Sequence, residues 1–209
     1  MAEANVMKSI LERAEQAFLQ YGLRAITMSE LAARMGMSKK TLYRYFETKE
    51  ELVYSAVRDF LEREHACLKA KSAEASNAVM EMFLIVGHVI SLFRRLSPNL
   101  ILETRKYYAS AWELIEGMHF EHIREMIRNN LLRGIEQGLY RPEINAEILS
   151  RFYVKMTDVL VDEQVFPSEQ FERMDLFHQF IAYHMYGIVS ARGRKVLEQQ
   201  LKKIGCLPS

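Results

Sequence analysis

Apolar residues recur three and four positions apart along nearly the whole chain, and no stretch alternates apolar and polar long enough to read as a strand. Val6, Ile10, Ala14, Ala17, Phe18 and Tyr21 share one helical face, and Gly22 follows where that helix must stop. Thr27 and Glu30 have the spacing of a capping box ahead of Leu31, Ala32 and Met35. Gly36 ends this second helix after barely two turns. Ser38 caps a third short helix, Lys39 to about Tyr45, and Thr48 with Glu51 opens a long helix through Leu52, Ala56 and Phe60.

The same spacing predicts helices downstream. One covers roughly residues 75–96, and Ser97 caps the next with Pro98 in its first position. Trp112, Ile115, His119, Ile123, Met126, Ile127 and Leu131 predict a long amphipathic helix ending near Gly138. Pro142 separates it from a segment starting near Asn145. Pro167 and Ser168 precede a helix through Phe171, Met174, Phe177, Ile181 and Met185, and Gly193 precedes a short tail helix. The fold class is all-α. It is expected to have a three-helix helix-turn-helix domain over residues 1–50 and a larger helical bundle over residues 51–209.

Composition narrows the classes. Nine Gly and four Pro are too few for a turn-rich sandwich or barrel, and an apolar fraction of 49% supplies a core. Uncharged runs such as Met82–Phe93 stay short of the ~20 residues a membrane helix needs, so no membrane partner is expected. The first residues lack a basic start followed by an apolar run, and Cys67 and Cys206 have no metal or redox spacing. A cytoplasmic protein is expected.

A net charge of +1 argues at first against nucleic acid. Its distribution argues the other way. Arg34, Lys39, Lys40, Arg44 and Lys49 crowd a short segment whose one acid is Glu47, a local positive patch on a slightly acidic body. That patch lies on a helix, a glycine turn and a second helix, the geometry that lays a helix in the major groove of DNA. Lys39 and Lys40 suit base edges, Thr41 a thymine methyl or a phosphate, and Tyr43 and Tyr45 phosphate oxygens. Thr27 and Lys49 stand at helix starts, where free amides favour a phosphate, while Leu42 and Phe46 point to the core.

The run Thr27-Met28-Ser29-Glu30-Leu31-Ala32-Ala33-Arg34-Met35-Gly36-Met37-Ser38-Lys39-Lys40-Thr41-Leu42-Tyr43-Arg44-Tyr45-Phe46-Glu47-Thr48-Lys49-Glu50-Glu51-Leu52 resembles the DNA-binding domain of the tetracycline-repressor (TetR) family. The preceding helix with Phe18 and Gly22 matches as well, so the likeness covers roughly residues 6–55. It implies a homodimeric, ligand-responsive transcriptional regulator, usually a repressor, on a near-palindromic operator. By position it implies DNA contacts at Thr27, Lys39, Lys40, Thr41, Tyr43, Tyr45 and Lys49, with Ser29 and Ser38 as further candidates. It also places the dimer interface on the last two long helices, about residues 146–161 and 171–190. The candidates there are Ile148, Phe152, Phe177, Ile181, Met185 and Ile188, and the competing reading is intramolecular packing.

Beyond about residue 73 no family motif is legible. Aromatic and Met side chains are dense, and such side chains adapt to apolar ligands, although most at helical spacing are core. Phe83, Tyr107, Tyr108, Trp112, His119, Tyr153 and Met156 are the candidates for a small-molecule effector site. Gly87 and Gly187, inside helical patterns, are read as close helix contact or thinning over a cavity. Glu62 with His65 and Glu116 with His119 have a di-iron-like spacing, yet two such pairs are unremarkable by chance in a chain this rich in Glu, and His119 with His122 lacks a third ligand. No catalytic residue, metal or cofactor is assigned. The alternative from another class is a helical protein-interaction module without DNA binding.

Overall fold

Among the described residues, capping and glycine punctuation give eleven α-helices. The computed structural model describes residues 2–203, and within them every side chain except those of Ala2, Ala4, Phe93, Arg94, Pro98, His119, Phe120, Lys202 and Lys203. The helices are α1 (Ala2–Tyr21), α2 (Met28–Arg34), α3 (Lys39–Tyr45), α4 (Lys49–Ala73), α5 (Ala78–Arg95), α6 (Pro98–Tyr107), α7 (Ala109–Met118), α8 (Arg124–Glu136), α9 (Ala146–Leu160), α10 (Arg173–Ile188) and α11 (Ala191–Lys203). Among the described residues there is no strand, only an isolated bridge between Tyr140 and Val189. No described helix is long and apolar enough to cross a membrane.

The helical segment expected from Trp112 to Gly138 is divided. A π-helical turn, His119–Ile123, stands between α7 and α8 and changes which side chains share a face across it. Phe171 lies just outside α10, which is capped by Glu172 accepting from the Asp175 amide at 2.8 Å. Phe171 instead meets Phe166 edge-on at 5.4 Å between ring centres.

Packing separates two compact units at places other than residue 50. One unit is Met1–Ala66 with Leu92–Met118, and the other is Cys67–Ser91 with His119–Ser209. In the first, Ile10, Ala14, Phe18, Leu31, Leu42 and Leu52 form the centre of a core that Tyr108 and Ala111 complete. The chain between α6 and α7 is therefore part of the N-terminal core, which local patterning near residue 50 had no means to show.

The second unit is organised around Tyr140. Its buried hydroxyl lies 3.0 Å from the Ala78 carbonyl and 3.0 Å from Asn130 Oδ1. Asn130 Nδ2 donates to Ala78 O and to Glu81 Oε2, both at 2.9 Å, and Arg133 donates to Glu81 at 3.2 Å and to Ala75 O at 2.8 Å. Each buried polar group here has a partner, which is the condition for such a network to stabilise. Gly134 is obligatory beside it, because a Cβ there would lie 2.0 Å from the Tyr140 ring. Gly87 and Gly187, read from sequence as close helix contact or thinning over a cavity, would bring an added Cβ within 4 Å of nothing, which disfavours the first of those readings.

Candidate nucleic-acid interface

The first unit's short helices are fixed by local chemistry. Thr27 and Glu30 form the expected box, the Glu30 amide donating to Thr27 Oγ1 at 3.2 Å and the Thr27 amide to Glu30 Oε2 at 2.7 Å. The Thr27 hydroxyl also donates to that carboxylate, at 2.8 Å. These bonds from Thr27 hold the Glu30 carboxyl below its usual range. Gly36, at φ +69°, then closes α2 with the Gly36 amide on Ala33 O and the Met37 amide on Ala32 O. Only the backbone angle demands glycine here, since nothing lies within 4 Å of a built Cβ.

Ser38 starts α3, its hydroxyl oxygen accepting from the Thr41 amide at 3.0 Å and lying 2.8 Å from Thr41 Oγ1. Leu42 and Phe46 are buried in the core and hold the helix by one face. Lys39, Lys40, Tyr43 and Arg44 are all exposed, and their spacing puts them together on the opposite face. The Lys39 ammonium lies 5.6 Å from the centre of the Tyr43 ring. Three cations and one aromatic hydroxyl thus stand on a rigid support. Arg44 belongs to this face although the sequence reading gave it no contact.

The other candidates have different settings. Ser29 and Ser38 are exposed, Thr41 is half-buried, and Tyr45 is half-buried against the core. Lys49 turns back: its ammonium donates to the carbonyls of Leu23 and Ile26, the latter at 2.5 Å, and burial lowers its pKa. On the other side of the same loop, Glu103 Oε2 accepts from the amides of Leu23 at 2.7 Å and Arg24 at 3.2 Å. Arg34 is also engaged, donating to the Tyr21 hydroxyl at 3.0 Å with its guanidinium over that ring.

Residues 10–56 match the model for bacterial regulatory proteins of the tetR family. The match spans the helix-turn-helix segment, less than a quarter of the chain. The chain is 28% identical to the helix-turn-helix transcriptional repressor KstR2 of Mycobacterium tuberculosis, over 73% of this chain and 78% of that one. It is 25% identical to the helix-turn-helix transcriptional regulator YvaF of Bacillus subtilis, over 88% and 95%. The structure of a transcriptional regulator from Cytophaga hutchinsonii, at 21% identity, superposes with a TM-score of 0.75 over 88% and 98% and shares the fold. These relatives are transcriptional regulators, not enzymes.

The effector candidates are shared between the two units. Tyr107, Tyr108 and Trp112 belong to the first unit, and Phe83, Tyr153 and Met156 to the second. Tyr108 is buried in the first unit's core, where burial raises its pKa. Tyr107 is exposed, with the Arg24 guanidinium 4.6 Å over its ring, and Trp112 is half-buried beneath Arg105. Phe83 is half-buried, Met156 is exposed, and the His119 side chain lies outside the described residues.

Tyr153 lines a small, mostly apolar cavity with Val86, Val89, Thr157, Phe177, Phe180 and Ile181. The cavity leaves about 10 Å³ for the centre of a water-sized sphere. Of the interface candidates, Ile148 and Phe152 are exposed. Phe177, Met185 and Ile188 are buried against their own chain, so the face they were expected to lend a partner is turned inward. Ile181 is half-buried beside the cavity. Tyr183, at 77% exposure the most exposed large apolar side chain among the described residues, and Tyr186 take the outward face of α10 instead.

Proposed function

We propose that this chain is a homodimeric repressor that binds a near-palindromic operator in the cytoplasm and leaves it when a small, largely apolar molecule binds the second unit. The observation that carries the DNA-binding part is the outward face of α3, with Lys39, Lys40, Tyr43 and Arg44 exposed and Leu42 and Phe46 buried behind them. A lysine near the start of such a helix reaches guanine acceptors, while Tyr43 and Arg44 suit phosphates. Repression is supported by the name of KstR2.

Two copies of α3 are needed to read two half-sites about 34–36 Å apart or a multiple of that. The surface that suits a second copy is the stripe Ile148, Phe152 and Met156 on α9, spaced four residues apart and respectively 49%, 62% and 41% exposed. Tyr183 and Tyr186 on α10 add to it. Ligand response is supported by how α5 is tied. Val86 and Val89 of α5 line the cavity, while Lys71 and Ser72, near the end of α4, meet His88 and Glu81 of α5, the first pair at 3.3 Å. A ligand that displaces α5 pulls on α4, and α4 begins at Lys49 in the DNA-reading unit.

Selection of duplexes from a random pool tests the proposal. It should return an inverted repeat with half-sites one helical turn or a multiple apart. Recovery of no common sequence by a folded protein would reject operator binding.

A further inference from the structure

His184 lies beside the second unit's cavity without being accounted for by packing alone. Its ring stands edge-on to Tyr153, 4.9 Å between centres, and 6.1 Å from Phe180, and both of those rings line the cavity. Its Nε2 is sealed from solvent and has no hydrogen-bond partner among the described residues. An unmatched buried polar atom costs free energy, so a native site that keeps one calls for a partner. The hydroxyl of Thr157, also on the cavity wall, already donates to Val154 O at 2.7 Å.

We propose that this cavity seats a neutral, largely apolar ligand carrying one hydrogen-bonding group, such as a ketone or an alcohol, which engages His184 Nε2. This rests on the ligand-responsive reading above and adds the ligand's chemistry. No charged side chain lines the cavity, so a carboxylate, phosphate or ammonium placed there would be buried without a counter-ion, at large cost. Burial also keeps the imidazole neutral, with a pKa lowered to about 4, so it offers a hydrogen bond and no positive charge. Val86, Val89, Phe177 and Ile181 supply the apolar wall that such a ligand's body needs. The residual volume is that of about one water, so the ligand enters only by parting α5 from α9 and α10.

Three probes of nearly one shape separate the possibilities: 2-acetylnaphthalene, 2-ethylnaphthalene and 2-naphthoate. The full-length protein should bind the ketone about tenfold more tightly than the hydrocarbon, the value of one good hydrogen bond, and more tightly still than the carboxylate. In His184→Phe the preference for the ketone over the hydrocarbon should shrink to about threefold or less. The ketone should also shift the His184 ring ¹⁵N resonances of the unmutated protein, a readout that does not depend on how the variant folds. Equal or tighter binding of 2-naphthoate, an unchanged preference in His184→Phe, no ¹⁵N shift, or no binding of any probe overturns the inference. Operator release is followed in parallel. Ketone binding without release upholds this site and removes the ligand-responsive reading, whereas release by a charged molecule alone does the reverse.

Discussion

The Lys49 ammonium lies 2.5 Å from the carbonyl oxygen of Ile26, in the turn that leads into α2. It also donates to Leu23 O, so one cation holds both ends of a loop whose amides are held by Glu103. Position alone suggests a phosphate contact, but the side chain is committed to backbone. Lys49→Met should lower stability by about 1–3 kcal/mol, because two partly buried carbonyls lose a charged donor. The slope of log K against log salt should stay unchanged, where loss of a phosphate contact would reduce it by about 0.9. Denaturant unfolding and salt-dependent anisotropy measure the two effects separately.

Phe152, at 62% exposure, is the centre of the α9 stripe. Phe152→Glu should yield a monomer with an unchanged helical circular dichroism spectrum, seen by sedimentation equilibrium. Operator affinity should fall by roughly a hundredfold or more, since two linked heads bind with the advantage of an intramolecular second contact. A variant that stays dimeric would remove the stripe from the interface.

Glycines at different places should respond in opposite directions. Gly134→Ala forces a methyl against the Tyr140 ring, whose buried hydroxyl is held between Ala78 O and Asn130 Oδ1, and should destabilise by about 1–3 kcal/mol. Gly87→Ala meets nothing within 4 Å inside α5 and should stabilise by about 0.5–1 kcal/mol. Thermal unfolding of the pair checks both signs.

His184 gives the second unit a pH dependence. An unfolded histidine takes up its proton near pH 6.5 and this buried one only near pH 4. Between those values the unfolded chain holds the extra proton, so stability is complete above about pH 6.5 and falls as the pH drops toward 4. The loss attributable to His184 is at most about 1.4 kcal/mol per pH unit. Unfolding series of the unmutated protein and His184→Phe should diverge over that window, the variant losing less.

Much of the first unit is legible in the sequence because its determinants are local. Thr27 with Glu30, Gly36 and Ser38 each act within a few residues, and the structure shows each bond or angle their spacing implies. Arg44 was legible too, since it follows Lys40 by four positions, but it was counted as charge and not placed on the helix face. What sequence could not supply depends on distant pairs. Tyr108 looked like a wall of a pocket and is core, because α6 returns to pack with α1 and α4. Phe177, Met185 and Ile188 share helical spacing with an interface stripe, yet periodicity does not say whether the apolar face meets its own chain or another. His184 had no motif at all; only the rings around it single it out.

The outward face of α3 is tested most directly by measuring affinity for a selected operator and a scrambled duplex across a salt series, for the unmutated protein and for Lys39→Ala, Lys40→Ala and Arg44→Ala. Specific binding should exceed non-specific by at least about 10³-fold. At least one lysine substitution should cost ~1–3 kcal/mol on the operator with little change on scrambled DNA, and Arg44→Ala should weaken both and reduce the salt slope by about 0.9. Salt-independent binding, or operator affinity unchanged in all three variants, would contradict a DNA-reading role for this helix.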